Sequence, residues 1–272
     1  MRLIIYMRTH ITQLAVLLLV ILLTPLSGWG AEKPRLSFEP GETLTYDVTW
    51  AVFPAGEVTS QIQRTGNNSH DPYTITTTAR SSGFVSLLFN VNDQLQSFFN
   101  PQTLCSERIT KKINEGRRHK DTLIVYDYVR HLGLLDERDL TRTGDPPKHA
   151  ENAIPACVED VVTAFYYLRQ QQFEVGRVIE LPVNDGSKTQ QVAVEVQALE
   201  KVETPLGTFD AYRVEPKVFN NNLFKRKGRM LIWFGADNRH LPLRIKAMIA
   251  VGSITGTLRQ VSNQAPAASS AR

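Results

Sequence analysis

Residues 43–52 read TLTYDVTWAV, with the apolar residues Leu44, Tyr46, Val48, Trp50 and Val52 at every second position. Side chains alternate between the two faces of a β-strand, so this spacing predicts a strand with one buried face. The β-branched and aromatic residues of the stretch favour the same conformation. Two similar segments follow after turn-forming residues, and together the three predict an antiparallel meander.

Segments of this kind recur along most of the chain, separated by short runs rich in Gly, Pro and Asn. Helical spacing occurs at 158–171 and over a shorter stretch at 83–91, whereas the polar segment 127–155 is interpreted as a long excursion with a small hairpin. We therefore predict an all-β, predominantly antiparallel fold: a large curved sheet or open barrel, with one helix covering an open side or end. The predicted strands are 44–52, 57–65, 73–80, 93–99, 104–114, 119–126, 177–183, 189–202, 208–218, 228–234, 241–251 and 253–261, with Pro54-Ala55-Gly56 as the first turn.

Composition excludes several classes of protein. The chain has 272 residues and 42% hydrophobic residues, too many for a disordered chain. With 31 Lys+Arg against 27 Asp+Glu, the formal charge is +4, well short of the basic excess of a nucleic-acid binder. We expect no nucleic-acid partner and no cofactor.

The N-terminus has the three parts of a secretory signal peptide. Arg2 and Arg8 precede a run of ten apolar residues, 14–23, and Gly28 and Gly30 provide small residues before a cut after Gly30. The alternative, an uncleaved anchor, is disfavoured because a spanning helix needs about 20 apolar residues. We expect an exported protein without a transmembrane span in the mature chain. The predicted organisation is a signal peptide (1–30), a single β-rich domain (31–261) and a disordered tail (262–272).

Several segments resemble the DUF3108 family of bacterial envelope proteins. They are 38–46 (FEPGETLTY) followed by Ala55-Gly56-Glu57, then 165–169 (FYYLR), 203–211 (ETPLGTFDA), 233–244 ending in HLPLR, and 249–253 (IAVGS). The resemblance spans about residues 38–261. It implies a β-rich fold and export to the periplasm. The family name denotes an unknown function, so the resemblance implies no catalytic residues.

No catalytic constellation is evident in the sequence. A Gly-x-Ser-x-Gly elbow is absent, and no two histidines have the helical spacing of a zinc hydrolase. A metal site needs a third converging ligand beside His149 and Glu151, and none can be named. We expect no metal and no enzymatic activity. Pairs of carboxylates cannot be identified from sequence, which leaves a hydrolase of envelope polymers as one hypothesis.

Two cysteines, Cys105 and Cys157, flank a predicted strand and the longer predicted helix. In an oxidising compartment they either form a disulfide that joins the helix to the sheet, or remain two separate buried thiols. Sequence spacing does not decide between these alternatives.

Two clusters of basic residues lie beside predicted strands. The first is Lys111, Lys112, Arg117, Arg118 and Lys120, around a turn at 115–116, and the second is Lys225, Arg226, Lys227 and Arg229. Either cluster can contact anionic lipid headgroups or polysaccharide, or can simply be a solvated strand end that prevents edge-to-edge pairing.

The aromatic residues suggest a ligand cavity, although aromatic residues on a curved sheet are also ordinary core. The candidates for lining a cavity are Tyr46, Trp50, Phe53, Phe98, Tyr212, Trp233 and Phe234. A further apolar group, Phe84, Leu87, Leu88 and Phe89, is interpreted as a lid or as an exposed interaction patch.

These observations favour a non-enzymatic envelope protein that holds a hydrophobic or lipid-like ligand in a curved β-sheet. The first alternative is a structural or assembly factor that binds an envelope protein partner through its surface. The second alternative is the hydrolase.

Overall fold

The computed structural model describes residues 36–66, 68, 71–142, 144–217 and 228–263. Within these residues, 14 strands form one antiparallel sheet in the order β8-β7-β6-β5-β4-β3-β2-β1-β14-β13-β12-β11-β10-β9. The sheet is not closed, because β8 and β9 remain its two edges. This architecture confirms the predicted all-β class. The elements are β1 (Glu42–Trp50), β2 (Phe53–Arg64), β3 (Tyr73–Ser81), α1 (Gly83–Leu88), β4 (Asn92–Phe99), β5 (Ser106–Glu115), β6 (Arg118–Asp127), β7 (Leu132–Asp139), β8 (Lys148–Ala153), α2 (Thr163–Arg169), β9 (Val178–Asn184), β10 (Thr189–Thr204), β11 (Gly207–Pro216), β12 (Arg229–Gly235), β13 (Pro242–Met248) and β14 (Ser253–Asn263).

Period-two alternation places the apolar side chains on one face of this sheet. Ile62 lies opposite Ile75, and Ile109 lies opposite Ile124. All four side chains are fully buried, and Leu44 on β1 is only 2% exposed. We call this the inner face. It continues across the central β1–β14 pairing, where Leu44 pairs with Val261. The two halves of the meander therefore share one apolar surface.

The first hairpin differs from the prediction. The turn lies at Ala51 and Val52, with Ala51 at φ 52°, and Pro54 belongs to β2. Pro54 is accommodated because the β1–β2 register shifts between Val48 and Thr49, which interrupts the regular ladder where proline lacks an N–H. Turn-forming composition alone did not reveal this irregularity.

The polar segment 127–155 contains the small hairpin that was predicted, formed by β7 and β8, but this hairpin extends the sheet instead of lying in an excursion from it. The side chain of Asp127 builds the turn before β7 by accepting hydrogen bonds from the backbone N–H groups of Val129 and Arg130. Leu135 then faces inward and is 7% exposed. The second half of β7, residues 136–139, consists of charged residues only, which weakens the sequence signal for a strand.

The longer helix is shorter than predicted because residues 158–160 bond to strands instead. Val158 accepts a hydrogen bond from Ser106 N, and Glu159 donates to Pro182 O and accepts from Asn184 N. Asp160 then ends this extended segment. α2 covers only 163–169 of the predicted 158–171, and α1 covers 83–88 of the predicted 83–91.

Side chains bridge the gap between the two edge strands. Asn184 Nδ2 donates to Asn152 Oδ1 at 2.6 Å and to Thr189 Oγ1 at 2.8 Å, and Thr189 Oγ1 donates to Ala153 O at 2.9 Å. In a closed barrel, backbone hydrogen bonds would join β8 to β9. Here these side-chain hydrogen bonds satisfy polar groups between the two edges instead.

Two predicted segments extend beyond the described residues. The predicted signal peptide, 1–30, lies wholly outside them. Of the predicted tail, Ser262 and Asn263 belong to β14 and pair with Thr43 and Glu42, while 264–272 lie outside the described part. In the part of the chain that the structure describes, no helix has the length and apolar character needed to cross a membrane.

Candidate functional site

An apolar pocket lies between α2 and the inner face of strands β9–β12. Its volume is about 80 Å³. The partly exposed residues Val161, Ala164, Phe165 and Met230 lie at its accessible side, so the pocket reaches the surface. The complete lining is Val161, Ala164, Phe165, Leu168, Leu181, Val183, Val192, Val194, Pro216, Met230 and Ile232. No lining side chain can ionise.

The start of α2 is fixed by polar contacts. Asp160 Oδ1 accepts hydrogen bonds from the backbone N–H groups of Val162 and Thr163 at 2.7 and 3.1 Å. Such bonds satisfy donors that the first helical turn leaves free. Just before this cap, Cys157 forms a disulfide with Cys105, whose Cα atoms are 5.1 Å apart. The helix therefore begins at a fixed place on the sheet.

The end of α2 is held by a buried ion pair. The guanidinium of Arg169 is bidentate on Glu42 of β1, with Nη1–Oε1 at 2.6 Å and Nη2–Oε2 at 3.1 Å. Arg169 Nη2 also donates to Ser37 O, and His240 Nδ1 lies 2.9 Å from Arg169 O. With both ends held, α2 forms a fixed wall of the pocket.

The segment that precedes α2 carries two buried carboxyl side chains. Glu159 and Asp160 are 1% and 0% exposed. Burial raises the pKa of Glu159 to about 8, against a weaker lowering effect from Thr163. Burial also raises the pKa of Asp160, whose carboxylate accepts hydrogen bonds from Ser97 and from two backbone N–H groups. At this depth neither carboxylate can touch a polymer substrate, so this pair does not support a hydrolase.

The sequence itself assigns the family. The family described as "Protein of unknown function (DUF3108)" matches residues 45–259, most of the chain. The chain belongs to the DUF3108 family. No curated protein is similar enough to this DUF3108 chain to count as a match.

Solved structures show the kind of fold that this DUF3108 chain has. It is similar to a β-barrel-like protein of the DUF1849 domain from Brucella abortus, with a TM-score of 0.55 and 9% identity over 82% of this chain and 98% of that one. A Bacteroides fragilis protein described as exported, with a YmcC-like fold, has a TM-score of 0.37 at 11% identity, covering 82% and 96%. A Parabacteroides distasonis protein described as a lipoprotein has a TM-score of 0.33 and 10% sequence identity over 85% of this chain and 100% of that one. The first similarity supports a β-barrel-like fold.

The aromatic residues proposed from sequence do not line the pocket. Phe234 is fully buried and stacks on Phe173 at 5.1 Å, and Tyr212 packs against the same ring at 5.7 Å. Tyr46 is core at 4% exposure. These three residues support the core from the inner face, which was the alternative interpretation for such residues.

The other four aromatic residues are scattered. Phe53 is exposed, and the half-buried Trp50 donates its indole N–H to Val251 O at 3.1 Å. Phe98 lies under the guanidinium of Arg108 at 3.9 Å, on the face opposite to the buried Ser97 and Phe99. Trp233 points away from the pocket and donates to Glu200 Oε1 at 2.6 Å.

Sequence reasoning overlooked the aliphatic residues that do form the pocket. Val192 and Val194 alternate on β10, and Leu181 and Val183 alternate on β9. That alternation is a usable signal for an inward face. It does not reveal that α2 covers this face, because the helix and the strands meet only in the folded chain.

The first basic cluster divides between the two faces of the sheet. Lys111 alternates with the buried Ile109 and lies opposite Leu95 and Thr122, so its side chain is on the inner face rather than on the surface. Burial lowers the pKa of Lys111, and the nearby Asp160 opposes this effect. Lys111 therefore departs from the prediction of a surface patch.

The remaining cations of the two clusters have different surroundings. Lys120 forms an ion pair with Glu137 at 2.7 Å, and Arg118 lies 3.3 Å from Glu115. Lys112 and Arg117 are exposed. In the second cluster, Arg229 pairs with Glu215 at 2.7 Å, whereas Lys225, Arg226 and Lys227 lie outside the described residues.

Proposed function

We propose that this protein is a non-enzymatic binder of an apolar chain end, such as the tip of a lipid acyl chain, in the pocket beneath α2. The observation that carries the proposal is the lining, which consists of apolar side chains from α2 and four strands. Burial of apolar surface is the main favourable contribution that such a site offers to a ligand.

The pocket size sets the kind of ligand. A cavity of about 150 Å³ holds benzene, and drug-sized ligands occupy roughly 300–1,000 Å³. At about 80 Å³, this pocket has room for only a few methylene or methyl groups. The ligand is therefore expected to insert an end, while its remainder lies outside the sheet.

Filling the pocket tests the proposal. Ala164 faces the pocket from α2, and Ala164→Leu adds three carbon atoms inside it. Ala193 lies between the lining residues Val192 and Val194 but on the other face of β10, so Ala193→Leu is the matched control. The probe is cis-parinaric acid, a fluorescent fatty acid, titrated into each purified protein.

We expect Ala164→Leu to weaken binding of the probe at least tenfold, on the order of the loss of two buried methylene groups. Ala193→Leu should bind like the wild type. The filled variant should also be as stable as the wild type or more so, because an empty apolar cavity costs roughly 24 cal/mol per Å³. Equal binding by the three proteins, or no binding by the wild type, would overturn the proposal.

We also propose that the protein acts in the periplasm after removal of residues 1–30. The basic, apolar and small-residue parts of that segment support export. N-terminal sequencing of the protein from a periplasmic extract is expected to begin at Ala31. An intact Met1 terminus on membrane-bound protein would contradict this expectation.

A further inference from the structure

Four connections meet at one rim of the sheet, where β1, β3, β5 and β13 end. The β1–β2 and β13–β14 turns are joined by a hydrogen bond from Ala51 N to Ser253 O at 2.7 Å. The start of α1 is joined to β2 by a bond from Ser82 N to Ala55 O at 2.9 Å. The β5–β6 turn is joined to the end of the α1 connection by a hydrogen bond from Gly116 N to Asn90 O at 2.7 Å. The turns therefore form one continuous surface.

This surface exposes large apolar side chains on successive turns. Val52 is 82% exposed, Leu87 is 83% exposed and Val251 is 68% exposed. α1 contains no buried residue, and none of the side chains that the structure describes caps its first turn. A one-and-a-half-turn helix with its leucines in water gains little from packing, so contact with an apolar phase would stabilise it further. We define the apolar rim as Val52, Phe53, Phe84, Leu87, Leu88 and Val251.

Cations lie immediately beside the apolar rim. The ring of Phe89 covers Gly116, where an added Cβ would be only 3.1 Å from the ring, and Arg117 and Arg118 follow directly in the chain. Lys112 is exposed on the adjacent strand β5, and Arg80 is exposed at the end of β3 next to α1. Apolar tips with flanking Lys and Arg are the combination found in segments that lie in the interface of an anionic bilayer.

We propose that the apolar rim docks on the surface of an anionic phospholipid bilayer. The turns insert Val52, Leu87 and Val251 among the acyl chains, and Arg117 contacts the headgroup phosphates. The apolar groups protrude on separate turns, a shape that fits shallow insertion into a fluid layer better than a flat protein interface, whose core is close-packed. The proposal stands on the rim itself and does not require a ligand in the pocket under α2.

Vesicle binding by the full chain tests the proposal. The probes are vesicles of phosphatidylcholine alone and vesicles of equal parts phosphatidylcholine and phosphatidylglycerol. The rim variant is Leu87→Ser/Leu88→Ser, and its control, Val129→Ser/Leu206→Ser, changes two exposed apolar residues at the opposite rim. Arg117→Glu tests the charge, with Arg130→Glu at the opposite rim as its control. All substituted side chains are exposed or in surface turns, so we expect every variant to fold, which the same urea unfolding curve for each variant checks.

We expect the rim variant to lose at least tenfold in vesicle partitioning, since two leucines leave the apolar phase. Arg117→Glu should lose roughly tenfold on the anionic vesicles only. Neither control should change binding. Salt should weaken binding to the anionic vesicles, because headgroup attraction is screened.

Hydrogen exchange on vesicles shows which surface makes the contact. All variants keep the same N-terminal segment, so any affinity of that segment for lipid contributes equally to every variant. Binding through that segment would not slow hydrogen exchange at the turns of the apolar rim. We expect hydrogen exchange to slow at 51–54, 83–91 and 249–253 when vesicles are added. Exchange at 128–131 and 205–206, at the opposite rim, should not slow. Equal losses in the rim variant and its control, or protection confined to other regions, would overturn the proposal. So would a lipid-independent dimer that the rim variant abolishes, since that would identify a second copy as the occupant.

Discussion

Glu159 makes the stability of this protein depend on pH. Its carboxyl is 1% exposed, Oε2 has no hydrogen-bond partner among the described residues, and burial raises its pKa to about 8 from an ordinary 4.5. The folded protein therefore binds this proton more tightly than the unfolded chain does. For an acid with a raised pKa, the stabilising contribution is complete below pH 4.5, declines as the pH rises and is gone above about pH 8.

The size of the effect follows from the two pKa values. Each pKa unit corresponds to about 1.4 kcal/mol, so the contribution at low pH is at most roughly 5 kcal/mol. Between about pH 5 and about pH 8, the free energy of unfolding should fall by roughly 3 kcal/mol from this group alone. Glu159→Gln keeps the shape of the side chain but cannot ionise, so it removes this part of the pH dependence.

Urea unfolding of the wild type and Glu159→Gln at the two pH values measures the effect. We expect similar stabilities near pH 5 and a more stable variant near pH 8. Asp160 and Asp93, whose pKa values burial also raises, leave a residual slope in both proteins. Glu180→Gln, on the exposed side of β9, is the matched control for the substitution itself. The reasoning fails if Glu159→Gln loses as much stability between the two pH values as the wild type does.

Two other predictions concern the fixed position of α2. Replacing Cys105 and Cys157 by Ser removes a cross-link over 52 residues and should lower the free energy of unfolding by about 4 kcal/mol in the chain-entropy treatment. Reductant should cause the same loss in the wild type. Unfolding curves that reductant leaves unchanged would contradict this prediction. Glu42→Gln leaves the guanidinium of Arg169 buried without a counter-charge and should cost about 3–5 kcal/mol in urea unfolding. The same change at Glu115, whose partner Arg118 is exposed, should cost less than about 1 kcal/mol, and equal losses would refute the distinction.

The strands of the fold and much of its apolar face were predictable, whereas several turns were not. Leu44 and Tyr46 were expected inside and are buried. The turn at Ala51 was not expected, because an alanine at positive φ carries no sequence signal while the nearby Pro54 does. Lys111 was assigned to the surface because of its charge, although its spacing from Ile109 places it on the inner face. Period-two spacing was the better guide there.

The candidate site was much less predictable. Aromatic residues were expected to line a cavity, yet the pocket is formed by aliphatic side chains of α2 and of strands such as β10, where Val192 and Val194 alternate. The exposed group around Leu87 was recognised as a lid or an interaction patch, but its neighbours on other turns were not. Which turns share a rim depends on the pairing of β1 with β14, which joins residues about 200 positions apart.

The sequence by itself determined that this chain forms an antiparallel sheet with an apolar face, and it carried the DUF3108 resemblance that the family match confirms. Both are local properties, since alternation and short motifs are read within a few residues. Only the tertiary structure decided that α2 covers β9–β12, that Glu159 and Asp160 in the segment before it are buried, and that three apolar turns meet at one rim. These features arise from strand register and from contacts between distant segments, which local spacing does not encode.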